Sequence, residues 1–215
     1  PTPGGPPAIY TFAEPVSLKA MLEDIHKLRP LCDVLVVCFH KGIGFTPMKI
    51  AAYEQQVSYA AIDAGADLIL GEHAHILKGV ELYNGKAIFH GLADFPAGGV
   101  RRAPDIRPTW LSRQRDRRMK DLWGFAPNPD SPGYPADPEA KNTIIAKCII
   151  NGGKITRVSY LPCIRNDEGQ TEILKKRDPR GQHVFEYMDM ITRGAELNAR
   201  YEWEGDEVVI HVDEK

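Results

Sequence analysis

The sequence predicts an α/β fold built on parallel strands joined by a helical crossover. Three observations carry the prediction. The run DVLVVCFH at 33–40 is almost continuously apolar and rich in Val, the composition of a strand buried on both faces of a parallel sheet. ADLILG at 66–71 is a second, shorter run of the same kind. Between them, from about Met48 to Ala64, Ile50, Tyr53, Val57, Ala60 and Ala61 recur at helical spacing, and Gly65 supplies a C-terminal stop. This is one β-α-β unit with a right-handed crossover, so both strands end at the same edge of the sheet.

The flanking segments follow in order. PTPGGPPAIYTF is dominated by Pro and Gly and reads as a linker or internal break over 1–15. It has neither the basic start nor the apolar core of a signal peptide. SLKAMLEDIHKLRP at 17–30 sets Leu18, Met21, Leu22, Ile25 and Leu28 on one helical face, with Ser17 as N-cap and Pro30 as terminator. VELYNGKAIFHG reads as a hairpin turning at Asn84-Gly85, because a type I′ turn needs φ > 0 at both central residues. Residues 16–95 thus form one unit. Residues 96–142 contrast with it, holding eight prolines and the basic cluster Arg113, Arg115, Arg117, Arg118 and Lys120. They read as an insertion, either a docked surface segment or a lid over the crevice. Order returns over 143–215, with TIIAKCII and KITRVSYLP around Asn151-Gly152-Gly153, a helix in QHVFEYMDMITRGAEL, and a last hairpin at Gly205-Asp206.

Composition narrows the function. The chain has 215 residues, a hydrophobic fraction of 43% that supports a buried core, and a net charge of −2 that gives no electrostatic case for nucleic acid. No apolar run reaches the length of a membrane span. Of the cysteines, Cys38 and Cys148 lie in apolar, strand-like runs where a thiol acts as a small hydrophobe, and no C-x-x-C pair occurs. The expectation is a reducing compartment, the cytoplasm. No serine-hydrolase elbow, P-loop or dinucleotide fingerprint is present.

The chemistry concentrates at the carboxyl edge of the two strands, where open α/β sheets place ligand crevices. His40 ends the first strand. His73 and His75 follow the second, after Gly71, and on an extended segment residues i and i+2 point the same way. These three are the candidate metal ligands. Glu72 is a candidate ligand, orienting residue or general acid/base, against a solvated side chain between two inward histidines. His90 is either a second proton-transfer group or a structural histidine. Lys41 would neutralise a substrate anion, or is a surface lysine. Asp94 would contact substrate or metal, or orient an imidazole, against a turn residue. His26, His183 and His211 read as structural or surface residues. A divalent metal here would lower the pKa of bound water, which suggests hydrolysis of a phosphoester, amide or ester.

FHKG at 39–42, AIDAGADLILGEHAH at 61–75 and GVELYNGKAIFHGLADF at 79–95 resemble the CapA family of bacterial capsule or poly-γ-glutamate biosynthesis proteins. That family belongs to the calcineurin-like metallophosphoesterase superfamily. Its motifs are H-W-G, I-D-A-G-A-D, G-H-H-P-H and G-x-E-x-Y-x-G-x-x-I-F-Y-S-L-G-N-F. The resemblance implies a four-layer α/β/β/α sandwich with two divalent metal ions, Mn, Zn or Fe, at the sheet edge. It also implies that His40, His73 and His75 are ligands. Lys41 stands where the family has Trp, Glu72 for the first His, Ala74 for Pro, His90 for Tyr and Asp94 for Asn. The family's upstream ligands, in G-D, N-L-E and N-H segments, have no counterpart in 1–32. The resemblance therefore covers the C-terminal half of a domain, and a second polypeptide is expected to supply the other half and the remaining ligands. The function expected is hydrolysis of a small or peptide-like substrate, a γ-glutamyl amide or a phosphoester. A peptide-modifying enzyme of epimerase type and a non-catalytic component of a polymer-synthesis complex stand as alternatives.

Overall fold

The computed structural model of the chain describes residues 10–95, 138–166 and 169–212. The insertion at 96–142 falls almost wholly outside them. Helix α1 spans Pro15–Leu28 and starts earlier than the Ser17 cap predicts. Its cap is Glu14, whose carboxylate accepts the backbone N–H groups of Val16 at 2.9 Å and Ser17 at 2.7 Å. Pro15 suits the first helical turn, where an N–H has no partner to lose. After a 3₁₀ turn at Arg29–Leu31, the chain enters β1 (Val36–Lys41), α2 (Ala52–Asp63) and β2 (Leu68–His73). Helix α2 begins later than Met48. Its start is fixed at Ala51, whose N–H donates to the Glu54 carboxylate at 2.9 Å. Strands β3 (Leu77–Tyr83) and β4 (Lys86–Leu92) form the expected hairpin, with φ of 48° at Asn84 and 72° at Gly85.

These strands make a sheet in the order β1-β2-β4-β3. β1 and β2 are parallel, from Val36 opposite Leu68 to Lys41 opposite His73, and β4 is parallel to β2. The rest of the chain adds β5 (Asn142–Asn151), β6 (Lys154–Arg165), β7 (Thr171–Ile173), α3 (Pro179–Gly194), β8 (Ala199–Glu204) and β9 (Glu207–Val212). Their strands form an antiparallel sheet ordered β5-β6-β9-β8, with β7 also on β6. The short β7 had no signal in the sequence.

Strand alternation divides the core in two. Ile69 and Ile88 face α1 and α2, packing with Ile25, Leu35, Ala61 and Ile62. Leu68, Val80, Ala87 and Phe89 face the second sheet and α3, packing with Ile144, Tyr160, Met188 and Ile191. The α/β class holds. The helical fourth layer implied by the resemblance is not found among the described residues: α3 packs on β3 as well as on β6 and β8. It closes the flank between the sheets instead of covering the second one.

The two edges of the first sheet differ. On β3, Val80 N–H donates to the Thr192 hydroxyl at 3.3 Å, and Leu82 exchanges hydrogen bonds with the Asn198 amide at 2.8 and 2.9 Å. On the other edge β1 has no neighbouring strand among the described residues. Nor is β1 buried on both faces, as its composition predicts. Val36 is 40% exposed, and Cys38 and His40 on the same face are exposed too, because the second sheet does not cover this strand. Cys38 is accordingly no core residue.

Asp67 ties the start of the β-α-β unit together. Its carboxylate accepts from Arg29 at 2.6 Å, Lys86 at 2.7 Å and the Leu35 N–H at 2.9 Å. Burial alone would raise this carboxyl, but the bonds from Lys86, Leu35 and Arg29 outweigh it and bring it down to about 2. A lowered native pKa stabilises the fold above the unfolded value and loses that contribution as pH falls through the native one. Asp67→Asn should therefore lower the urea midpoint at pH 7. The gap from wild type should close as pH falls from about 4 to about 2.

Candidate functional site

Parallel pairing brings the histidines together. His40 lies opposite Glu72 at the carboxyl edge, and Lys41 opposite His73. His40 Nε2 and His73 Nδ1 approach to 2.8 Å, with the rings edge to face at a 4.6 Å centroid separation. The His75 ring stands 6.1 Å from that of His73. His75 Nδ1 is bonded to Asp94 Oδ1 at 2.8 Å, and Phe45 stacks on the same imidazole at 5.7 Å and 20°. Behind Asp94, 3.4 Å from its other oxygen, is Arg165 of β6.

The histidines do not converge by strand alternation, as the H-x-H spacing predicts. His73 has φ of 87° and His75 of 54°. Residues with a Cβ rarely adopt this left-handed region, at a cost of about 1–3 kcal/mol each. Phe45 at 54° and Ala93 at 61° share it. Four of the six non-glycine residues with positive φ among those described therefore surround one site. Such strain persists only where surrounding contacts hold it, here including the Phe45 N–H to Ala74 carbonyl bond of 2.8 Å.

Two of the sequence-predicted residues are not at the rim. Lys41 is 4% exposed and points under α2, donating to the Glu54 carbonyl at 2.8 Å and the Ser58 hydroxyl at 2.6 Å. Burial lowers its amine to about 8, against the opposing pull of Glu54. It is a core lysine, because the side chain after His40 on a strand points to the helical face. His90 is 0% exposed, and its Nε2 meets Glu81 at 2.9 Å. Burial holds it below its ordinary pKa, against the Glu81 bond. The Tyr59 hydroxyl donates to the other Glu81 oxygen. Walled in this way, His90 has no route to a substrate proton.

The remaining expectations are placed as follows. Glu72 is exposed, on the His40 side of β2. Asp94 is hydrogen-bonded to His75 at 2.8 Å. Sequence reasoning missed Phe45 and Arg165. Arg165 lies 71 positions from Asp94, and nothing local marks it. It also missed the fully buried ion pair of Lys78 with Glu54, 3.2 Å. Lys78 also donates to the Lys49 carbonyl at 2.8 Å, so the pair fastens the loop that carries Phe45.

Imidazole nitrogens are the right donors for a borderline divalent metal. The 2.8 Å approach of two of them is a hydrogen-bond distance, and their nitrogens would separate to about 3.3 Å to share one tetrahedral ion with Zn–N of about 2.0–2.1 Å. The shell is short, however. Among the described residues no three His, Cys, Asp or Glu side chains form a group that would hold a metal.

Residues 5–98 match the model of the bacterial capsule synthesis protein PGA_cap. The PGA biosynthesis protein CapA of Bacillus subtilis (strain 168) is 48% identical over 81 residues, 38% of this chain and 21% of its own length. That stretch of the chain is similar to CapA proteins. The capsule biosynthesis protein CapA of Bacillus anthracis is 32% identical over 96 residues, 41% of this chain and 23% of its own. An uncharacterized protein of Sinorhizobium fredii (strain NBRC 101917 / NGR234) is 42% identical over 88 residues, 40% of this chain and 19% of its own. The matches thus span about a fifth of the length of each of these relatives. The matched stretch contains His40, His73, His75 and Asp94, whereas Arg165 lies beyond it. Among the described residues no helix is long and apolar enough to cross a membrane.

If Lys41 is a core residue, its amine should resist acylation in the native protein. A trace of acetic anhydride at pH 8, read by peptide mass mapping, should label exposed Lys19 and Lys27 and spare Lys41. All three should react after urea unfolding. Native labelling of Lys41 at the rate of Lys27 would contradict the burial.

Proposed function

We propose that this chain is part of a CapA-type metal-dependent hydrolase in capsule polymer biosynthesis, acting on a peptide-like or γ-glutamyl amide or on a phosphoester. The observation that supports this reading is the convergence of His40 and His73 at the sheet edge with His75 alongside. His40, His73 and His75 would hold divalent cations, two in the complete site, of Mn, Zn or Fe. Bound there, the cations supply Lewis-acid polarisation and acidify water. The chain's own residues do the rest. Asp94 orients His75, Phe45 shields one face of that ring, and Glu72 is the exposed carboxylate on the His40 side, able to take or give a proton. His90 has no part in it.

A second polypeptide would complete the site. The open edge of β1, which carries His40, supports this, as does the apolar exposure of Val36 beside it. A strand added there would bring its own side chains next to His40. The exposed, unpaired thiols of Cys32 and Cys38 suit a reducing compartment, so we place the chain in the cytoplasm. A second reading, a non-catalytic metal-binding component of a polymer-synthesis complex, draws on the short ligand shell.

His73→Ala should abolish metal-dependent turnover in the active assembly and reduce its bound metal by elemental analysis. Unchanged turnover would sink the hydrolase assignment, and full metal content without hydrolysis of amide, γ-glutamyl and phosphoester substrates would favour the second reading. Intact-mass analysis of the active material should reveal a second polypeptide. A monodisperse, active monomer would rule the partner out.

A further inference from the structure

We propose that Asp94 and Arg165 form a positioning pair for His75, fixing which of its ring nitrogens carries the proton. This makes the second sheet, outside the family-matched stretch, a working part of the site. The inference rests on the proposed metal site only for the use made of the other nitrogen. A carboxylate accepts hydrogen bonds and cannot donate them. With Asp94 Oδ1 2.8 Å from His75 Nδ1, the proton of the neutral ring must sit on Nδ1, leaving the lone pair on Nε2. A free imidazole has no such constraint.

The pair is built to hold that geometry. Ala93 turns through φ of 61°, bringing the chain out of β4 so that Asp94 reaches His75. The second Asp94 oxygen faces Arg165 Nη1 at 3.4 Å, and Nη2 of the same guanidinium faces the Ala140 carbonyl at 3.4 Å. Arg165 is 5% exposed, so its charge is shielded from bulk water. Its backbone is fixed by pairing with Thr171 of β7. The Thr143 hydroxyl, on β5, donates to the Leu92 carbonyl at the end of β4 at 2.9 Å and links the two sheets there. Phe45 packs flat on the His75 ring and opposes its rotation. The imidazole is therefore held by one hydrogen bond, one stacked ring and, through Asp94, an arginine from the other sheet.

The test is the ¹⁵N spectrum of the His75 ring in the full chain, assigned by the signals lost in His75→Gln. Wild type should show a protonated Nδ1 and a lone pair on Nε2. Asp94→Ala should shift His75 toward the Nε2–H form, and Asp94→Asn, whose carbonyl still accepts, should restore the wild-type pattern. Arg165→Met should shift it in the same direction as Asp94→Ala, and Arg165→Lys should recover part of the effect. If Arg165→Met fails to fold by near-UV circular dichroism, the Asp94 and Arg165→Lys variants still decide. As an independent readout, Zn²⁺ titration by calorimetry should show about 10–100-fold weaker binding in Asp94→Ala. A wild-type His75 in the Nε2–H form, or one unmoved by Asp94→Ala, overturns the proposal. Arg165→Met with an unaltered spectrum removes Arg165 from it. Failure of wild type to bind Zn²⁺ would count against the metal site proposed above, while the tautomer result would stand by itself.

Discussion

The register of β1 on β2 is the constraint on which the rest of the molecule depends. Val36 opposite Leu68 and Lys41 opposite His73 set which side chains of β1 face α2 and which face away from it. A slip of one residue would exchange the two sets. His40 would turn under the helix, and the Lys41 ammonium, now bonded to Glu54 and Ser58, would be aimed at the site. The buried lysine thus works as a register lock. It is satisfied only when His40 stands on the other face, beside Glu72 and within 2.8 Å of His73.

Holding His73 and His75 at positive φ costs free energy locally, and compensation comes from around the site. The Lys78–Glu54 pair is fully buried, and removing one member of such a pair leaves an uncompensated charge worth about 3–5 kcal/mol. The pair also fastens both ends of the loop bearing Phe45, through the Lys49 carbonyl and the Ala51 N–H. A second buried group, Tyr59–Glu81–His90, ties α2 to the β3–β4 hairpin. These polar contacts lie beneath the histidines on the helical face of the sheet. They make the floor of the site rigid where its surface is strained.

What the sequence made legible follows from the range of each interaction. The β-α-β unit, the Asn84-Gly85 turn and the two C-terminal hairpins are written in local periodicity and turn chemistry, and they stand where expected. His40, His73 and His75 could be brought together because parallel topology alone fixes which strand ends share an edge. Side-chain direction at the ends of strands could not be read in this way. Alternation sends Lys41 inward, and positive φ, which no local signal marked, rotates His73 and His75 out of the extended pattern. Burial of His90 depended on Glu81 as a partner on a neighbouring strand, and the link to Arg165 depended on a second sheet whose placement no short-range pattern encodes. The composition of β1 misled for a related reason. A Val-rich run reports a strand that can be covered on both faces, not whether this chain supplies the cover.

The two edges of the first sheet bear on that last point. β3 is closed by Thr192 and Asn198, residues of α3 and the turn after it, which take up the backbone groups a further strand would use. Among the described residues β1 carries no such guard, and the exposed Val36 and Cys38 lie beside its outer edge. Natural edge strands are usually blunted by charge, proline or a covering element. An unguarded edge that also carries His40 is better suited to pairing than to solvent. If pairing there completes the site, assembly and metal binding become coupled, since the strand that covers Val36 would also bring its side chains within reach of His40. The strained His73 and His75 would then be held from below by the buried lysines, from behind by Asp94 and Arg165, and from the side by whatever strand docks on β1.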